Sequence, residues 1–374
     1  MFEAGSIVAV MVAVAVDGPY SYRVPDGAAV ERGSIVVVPL GPRPTLGVVW
    51  GAPKDNFAHN RLKDIAEVFD LPPLPDELLK TVDWVARYTL AQPGMVLRGV
   101  LRSREALDPP RPVIALKRTG ELPERLTPAR SRVLDAFDDE FGEVWAKSAL
   151  VGATGVSPSV IDGLIRAGVL EALEIAAPPP VLPPDPDFAP AKLSDAQQAG
   201  LEKIRAHDKG GFSVALLDGI TGSGKTEVFF ESVADALRAG PQVAIILPEI
   251  ALTHTFLERF ERRFGHRAAE WHSEMTPVQR ARVWRGVLTG QVRAVIGARS
   301  ALFLPFRELG LLVLDEEHDG AFKQADRVNY HGRDMAVVRA SIAGARVILR
   351  LSSSPSEQRI RRQIECPSTR SPTS

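Results

Sequence analysis

The sequence predicts a multidomain fold in which a small β-rich domain and a short helical domain precede one α/β domain with a parallel sheet. Three observations carry that reading. Short valine-rich runs bounded by Gly, Pro or Asp fill the N-terminal part. Proline clusters interrupt the chain near Pro109 and again ahead of Leu193. Beyond Leu193, short apolar runs alternate with helical stretches, the pattern of strands covered on both faces. The 374 residues, at roughly 100–200 per domain, allow two to four such units.

Composition narrows the function classes. Lys and Arg number 45 against 46 Asp and Glu, a net charge of −1, so no global positive field marks a nucleic-acid partner, although a local basic groove stays compatible with one. Cys366 is the single cysteine, which excludes a disulfide framework and a multi-cysteine zinc site within this chain. The first apolar run, from Ile7 to Val16, falls short of the roughly 20 residues a membrane span needs. No Lys or Arg precedes it, as a secretory signal would require. A soluble cytoplasmic protein with no membrane association is the expectation.

Within residues 1–105, strands are expected at 12–16, 20–24, 34–38 and 46–50, followed by a helix over 76–89. Residues 1–10 are expected to lie outside that core, with Met11 just ahead of the first strand. Pro109, Pro110 and Pro112 lead into residues 113–176, where short helices are separated by Gly152-Ala153-Thr154-Gly155. Ser157 is placed to cap the helix that Pro158 opens, and Gly168 ends it before Val169-Leu170. Helix–turn–helix followed by a strand suits a winged helix, and equally a small helical linker domain.

Seven prolines among residues 176–190 make 177–192 an extended spacer. In the α/β domain, 193–349, buried strands are expected at 212–217, 243–247, 294–297, 311–314 and 346–349. Helices are expected at 195–206, 226–239, 255–263 and 276–288. Residues 350–374 hold twelve Ser, Thr or Pro with five Arg and two Glu. That composition cannot build a core and reads as a disordered tail.

The chemistry concentrates in the α/β domain. Gly219-Ile220-Thr221-Gly222-Ser223-Gly224-Lys225-Thr226 is a Walker A sequence between an expected strand and an expected helix. Gly219, Gly222, Ser223 and Gly224 let the backbone curl so that its N–H groups face phosphate oxygens at a helix N-terminus. Lys225 reaches the β- and γ-phosphates of ATP, and the Thr226 hydroxyl is a Mg²⁺ ligand. Ninety residues on, Leu311-Leu312-Val313-Leu314 delivers Asp315-Glu316-Glu317-His318, a Walker B arrangement. Asp315 is the second Mg²⁺ ligand, Glu316 the residue that orients and deprotonates the attacking water, and His318 a coupler of nucleotide state to neighbouring loops. Ser194 with Gln197 forms a capping box; the Gln197 amide serves either helix initiation alone or adenine recognition as well.

Several residues at strand ends extend the site toward nucleic acid. Thr253, after Leu247-Pro248-Glu249-Ile250, and Arg299, after Gly297-Ala298, are candidate phosphate contacts. Trp271 suits either the core or a stacked base. The aromatic and basic loop that follows the acids offers Phe322 or Tyr330 for stacking and Lys323, Arg327 or Arg333 for phosphate; the alternative is a solvated loop with its aromatics tucked inward.

These strings, namely residues 219–229, 247–253, Trp271-His272-Ser273, and Asp315–Asp319 with Lys323-Gln324, Tyr330 and Arg333-Asp334, resemble the primosomal protein N′ family of superfamily 2 replication-restart DNA helicases. The order is the family's, and the resemblance runs from about Met11 to Leu349. It implies a RecA-like helicase lobe, a 3′-DNA-end-binding domain and a winged helix, with ATP-dependent 3′→5′ unwinding in primosome assembly and fork restart. It further implies forked or 3′-ended DNA as ligand, and single-stranded DNA-binding protein and other primosome proteins as partners. By position, Tyr20, Gly41 and Lys63 match the family's pocket for a 3′-terminal base; Ser21 stands where the family has aspartate.

Zinc is expected for the full-length family, in a cysteine-rich module of its second lobe, and is not bound by this chain. Ser352-Ser353-Ser354-Pro355 departs from the family's Ser-Ala-Thr-Pro. The chain therefore reads as ending after lobe one with an out-of-frame tail, or else as a short paralogue. On that reading it binds DNA but hydrolyses ATP poorly and does not unwind alone. The runner-up readings are a non-catalytic fork- or 3′-end-binding module with a vestigial P-loop lobe, and a translocase whose second lobe sits on another polypeptide.

Overall fold

The valine-rich start of the chain forms a strand, but five residues earlier than the sequence suggests. In the computed structural model, which describes residues 1–53, 62–101, 104–110, 112–138, 144–219, 223–248, 253–315, 323–324 and 328–351, the first strand β1 spans Ile7–Val12. The antiparallel strands β2 (Tyr20–Arg23), β3 (Ile35–Leu40), β4 (Arg43–Gly51) and β5 (Glu67–Val68) complete a sheet of order β2-β1-β4-β3-β5. Val10 stands opposite both Tyr20 and Val49, which fixes the register. Residues 13–16 cannot continue β1 because a helix packs there. A Cβ on Gly94 would lie 2.0 Å from the Val14 carbonyl oxygen and 2.6 Å from that of Val12. Phe2 bridges to Val30, so residues 1–10 belong to the fold, contrary to expectation.

Period-two alternation divides the strand side chains between two cores. Val36 and Val38 join Val8, Val10, Val12 and Val49 in one cluster, whereas Ile35 and Val37 join the core that includes helices α1 (Asp76–Thr89) and α2 (Pro93–Val100). The α1 helix has the span its sequence suggests. It buries Leu78, Leu79, Val82, Val85 and Ala86, and Leu90 ends it in the left-handed region at φ 53°.

Residues Pro109–Pro178 form a separate unit. It comprises β6 (Val113–Arg118), α3 (Pro128–Asp138), β7 (Val144–Ala146), α4 (Lys147–Thr154), α5 (Pro158–Arg166) and β8 (Leu170–Ile175). The three strands run in the order β7-β6-β8 and pack Leu116 against Val133, Leu150, Ile161 and Leu164. Ser157 occupies the N-cap of α5 as expected, but its hydroxyl meets Ser159 Oγ at 2.7 Å and makes no bond to the helix backbone.

The proline-rich segment after Pro178 is extended and lies along the α/β lobe. Asp185 N donates to the Phe264 carbonyl at 2.9 Å, and Asp187 pairs with Arg238 at 2.8 Å. The Phe188 ring covers Gly265, where a Cβ would approach it to 2.9 Å.

The lobe itself runs α6 (Asp195–His207), β9 (Ser213–Leu217), α7 (Lys225–Ala239), β10 (Gln242–Ile246), α8 (His254–Phe264), β11 (Ala269–Trp271), α9 (Pro277–Leu288), β12 (Ala294–Gly297) and β13 (Leu309–Leu314). It closes with the short pair β14 (Lys323–Gln324) and β15 (Tyr330–His331), then α10 (Gly332–Ala343) and β16 (Arg346–Arg350). Six parallel strands take the order β11-β12-β10-β13-β16-β9. The central strands are buried on both faces, which is why they read as unbroken apolar runs. Two expectations fail here. The β9 strand lies at the sheet edge with Val214 and Leu216 exposed, instead of being buried. Arg350 and Leu351, assigned by sequence to the tail, belong to the sheet: β16 includes Arg350, and Leu351 N donates to the Leu217 carbonyl at 3.1 Å. Residues 352–374, the remainder of the expected tail, lie outside the described residues.

The N-terminal domain and the lobe share one unit, Met1–Asp108 with the chain from Pro179 onward. Its hydrophobic core is continuous from Leu78 and Leu97 to Trp284, Leu302 and Ala336. Arg339 of α10 is buried in it and donates to Glu77 of α1 at 3.0 Å and to the carbonyls of Leu302 and Leu304, with Phe306 beneath its guanidinium. Trp284 Nε1 donates to the Val100 carbonyl at 2.9 Å, and Arg285 donates to the carbonyls of Ala106, Leu107 and Asp108. Removing one partner of a buried pair leaves the other charge uncompensated, at a cost of roughly 3–5 kcal/mol. Arg339→Ala is therefore expected to lower unfolding free energy by about that amount in denaturant titration; a loss below about 1 kcal/mol, the level of a surface pair, would show that the contact is dispensable.

Candidate phosphate-binding site and DNA-end pocket

Parallel sheets place functional loops at the carboxyl ends of their strands, and three neighbouring strands end together here. β16 lies between β9 and β13. The loop after β9 leads through Gly224, at φ 76°, into α7, whose first residues are Lys225 and Thr226. β13 ends at Leu314 and delivers Asp315, whose N–H donates to the Ile246 carbonyl at 3.0 Å. Lys225, Thr226 and Asp315 are 5%, 4% and 3% exposed, so the polar groups of this site work almost free of bulk water.

Lys225 Nζ donates to the Gly219 carbonyl at 2.5 Å, across the mouth of the loop. Burial holds its ammonium below the ordinary lysine range; Arg350 adds to that effect, while Asp218 and Asp315 oppose it. The Asp315 carboxylate is paired through Oδ2 with Arg350 at the end of β16. A hydroxyl and a carboxylate, both buried, are the hard oxygen donors that suit Mg²⁺. This donor set fits the metal, with Thr226 and Asp315 as the residues to hold it.

Gln197 has a second task that its sequence context does not disclose. Its Oε1 accepts from Ser194 N at 2.8 Å, completing the capping box at the start of α6. Its Nε2 donates to the carbonyls of Ser223 and Gly224 at 3.1 and 3.3 Å. Both ends of the amide are thus engaged, and the side chain clamps the phosphate loop from outside. Gly222, Glu316, His318 and Phe322 lie outside the described residues.

In the N-terminal domain the structure brings two of the expected pocket residues together. Lys63 Nζ donates to the carbonyl of Gly41 at 3.3 Å, in the β3–β4 turn where Gly41 takes φ 61°. Tyr20 begins β2 and is exposed, with half-buried Ser21 next to it. The same strand touches both neighbours: Tyr22 donates to the Pro39 carbonyl at 3.4 Å and Arg23 N to the Lys63 carbonyl at 3.0 Å.

The expected DNA track is placed unevenly. Thr253 is exposed at the N-cap of α8, after β10, and half-buried Arg299 opens a 3-10 turn after β12, so both sit on the sheet edge that carries the phosphate loop. Arg333 is exposed and bonds Asp334 at 3.1 Å. Tyr330 instead packs half-buried, its ring edge-on to Phe303 at 5.4 Å, which favours the inward-tucked alternative for that aromatic. Lys323 pairs through its backbone with His331. Trp271 is buried against Gly297, so the core alternative holds for it. Sequence reasoning passed over Arg350, whose partner Asp315 only the fold supplies.

With this geometry in place, comparison with known proteins identifies the class. Residues 194–361 match the DEAD/DEAH box helicase family, which implies nucleotide binding by the lobe, and residues 9–102 match the PriA 3′ DNA-binding domain. The chain thus joins a domain similar to the DEAD/DEAH box helicases to a preceding domain similar to the PriA 3′ DNA-binding domain. More particularly, it is a homologue of the replication restart protein PriA. It is 33% identical to PriA of Haemophilus influenzae over 370 residues, covering 95% of this chain and 50% of that protein. PriA of Rickettsia typhi is 44% identical over 173 residues, 46% of this chain and 26% of that protein. PriA of Bacillus subtilis is 28% identical over 414 residues, covering 89% and 51%. The chain spans about half the length of the curated relatives it matches. Among the described residues no helix is long and apolar enough to cross a membrane.

Two outcomes follow from the cradle. A Cβ on Gly224 would lie 1.9 Å from Gln197 Nε2, at a φ that disfavours any side chain. Gly224→Ala is therefore expected to weaken nucleotide binding by more than about tenfold, measured with a fluorescent ATP analogue; unchanged affinity would show that the loop does not contact phosphate. Lys225 binds its proton less tightly folded than unfolded, so it lowers apo stability at neutral pH, and this penalty fades as pH rises toward the ordinary value of 10.5. Lys225→Met is expected to be more stable than wild type in urea at neutral pH, with the difference shrinking in alkali; a constant difference would remove the titration from the explanation.

Proposed function

We propose that this chain supplies the DNA-recognition domains and the ATP-binding lobe of an ATP-dependent 3′→5′ replication-restart DNA helicase. The observation that carries the reading is the meeting of β9, β16 and β13 at one sheet edge, where Lys225 and Thr226, buried at the start of a 15-residue helix, share the strand-end edge with buried Asp315 after β13. The backbone N–H groups at that helix start face the phosphates, and its dipole favours their charge. Lys225 exchanges its bond to Gly219 for phosphate oxygens. Thr226 and Asp315 hold Mg²⁺, which when bound neutralises charge on the phosphates. Glu316 orients and deprotonates the attacking water, and His318 passes the state of the site to adjoining loops.

On this reading Tyr20 stacks on the terminal base of a 3′ end, while Lys63 and the Gly41 turn close the pocket around it. Thr253, Arg299, Phe322, Lys323 and Arg333 serve the DNA strand along the lobe. The antiparallel strands of Pro109–Pro178 with the α4–α5 helix pair support a winged helix as a further DNA contact. The ligands are forked or 3′-ended DNA, the protein partners are single-stranded DNA-binding protein and other primosome components, and the compartment is the cytoplasm.

The test separates the two sites. Lys225→Ala is expected to abolish binding of the ATP analogue and to leave anisotropy titrations with 3′-recessed DNA unchanged. Tyr20→Ala should do the converse, weakening 3′-end binding by about tenfold, within the ~1–3 kcal/mol of one stacked base. Loss of both activities in either variant, or equal binding of 3′ and blocked ends by wild type, would contradict the assignment.

A further inference from the structure

Arg350 occupies a position that neither the fold nor a surface role accounts for. It is the last residue of β16, the strand between the one that carries the phosphate loop and the one that carries Asp315. The register sets Arg350 opposite Leu217 on one side and Leu349 opposite Leu314 on the other, so Arg350 stands at the level of Asp315 itself. Its guanidinium pairs with Asp315 Oδ2, both side chains being largely buried at 15% and 5% exposure. Its Nε is buried with no hydrogen-bond partner among the described residues. Moving a guanidinium out of water is costly, and the three residues ahead of it in β16, Val347, Ile348 and Leu349, are apolar.

The chemistry of the side chain suggests its use. A guanidinium stays charged throughout the working pH range, and its planar fork bonds a carboxylate and a phosphate oxygen together. In a P-loop site the divalent ion performs that bridging between an acid and the phosphates. Here Asp315 is already neutralised, which weakens its attraction for a second cation, and Lys225 and Arg350 put two positive charges beside the loop.

We propose that Arg350 is a resident cation of the phosphate site, holding Asp315 and binding phosphate beside Lys225, so that this lobe takes free nucleoside triphosphate almost as well as its magnesium complex. The proposal rests on the nucleotide reading given above. It makes Arg350 a determinant of which form of the nucleotide is bound, and it assigns to the chain itself part of the charge that Mg²⁺ would otherwise supply.

The experiment titrates the whole chain with a fluorescent ATP analogue in excess Mg²⁺ and in EDTA, for wild type, Arg350→Gln and Lys225→Ala. Wild type is expected to show a Kd ratio, EDTA over Mg²⁺, below about threefold, and Arg350→Gln a ratio higher by at least about threefold, a fraction of the tenfold that 1.4 kcal/mol represents. A larger wild-type ratio, or a smaller rise in the variant, overturns the proposal. Thermal unfolding with Mg²⁺ alone provides a second readout. Arg350→Gln should gain a Mg²⁺-dependent rise in Tm that wild type lacks, because Asp315 then needs another cation; no gain overturns the proposal as well. Failure of the nucleotide reading looks different: wild type and Lys225→Ala bind nucleotide equally poorly in both buffers while the Mg²⁺ response of Arg350→Gln persists.

Discussion

The Arg339 guanidinium is the point on which the two halves of this molecule depend. It lies 262 residues from Glu77 in sequence, yet pairs with it inside a core shared by the N-terminal domain and the lobe. A buried charge of this kind needs partners, and here the carbonyls of Leu302 and Leu304 accept from its terminal nitrogens while Phe306 lies against its face. Neighbouring contacts from Trp284 and Arg285 to carbonyls between Val100 and Asp108 reinforce the same seam. The contact between Lys63 and Gly41 and the residues around Lys225 are consequently carried by one body.

Within the lobe, one sheet edge concentrates the chemistry, and its charges are balanced locally. Lys225 and Arg350 face Asp218 and Asp315, and burial makes each of these charges matter more than it would at the surface. Gln197 and Gly224 control the shape of the same site without carrying charge. A helix cap, a left-handed glycine and a strand order that interposes β16 between β9 and β13 thus act on a single constellation.

Much of this was legible in the sequence, and the failures have physical causes. The buried strands β10, β12 and β13 announced themselves because both faces are covered and every side chain but that of Gln242, at the start of β10, is apolar. The Walker A string and Asp315 were readable because phosphate chemistry restricts residue type at fixed spacing. The first strand was misplaced because 7–12 and 12–16 are both valine-rich, and the choice between them is made by Gly94 approaching the Val14 carbonyl. β9 was taken as buried because its composition matches its neighbours, whereas exposure is set by its place at the edge. Arg350 and Arg339 were overlooked for one reason: a basic residue in a sequence reads as a contact with water, and only the fold supplies the carboxylates and carbonyls that bury it. The second role of Gln197 is of the same kind, since its capping partner is local and its loop partners are not.

The unity of the N-terminal domain and the lobe is the claim on which the rest stands, and native-state hydrogen exchange tests it most directly. Amides of α1 around Leu78, Leu79 and Val82 and those of α10 around Ala336 and Ala340 are expected to exchange through one shared opening, with the same free energy and the same response to denaturant. An α1 that opens independently, at a free energy well below that of α10, would contradict the account.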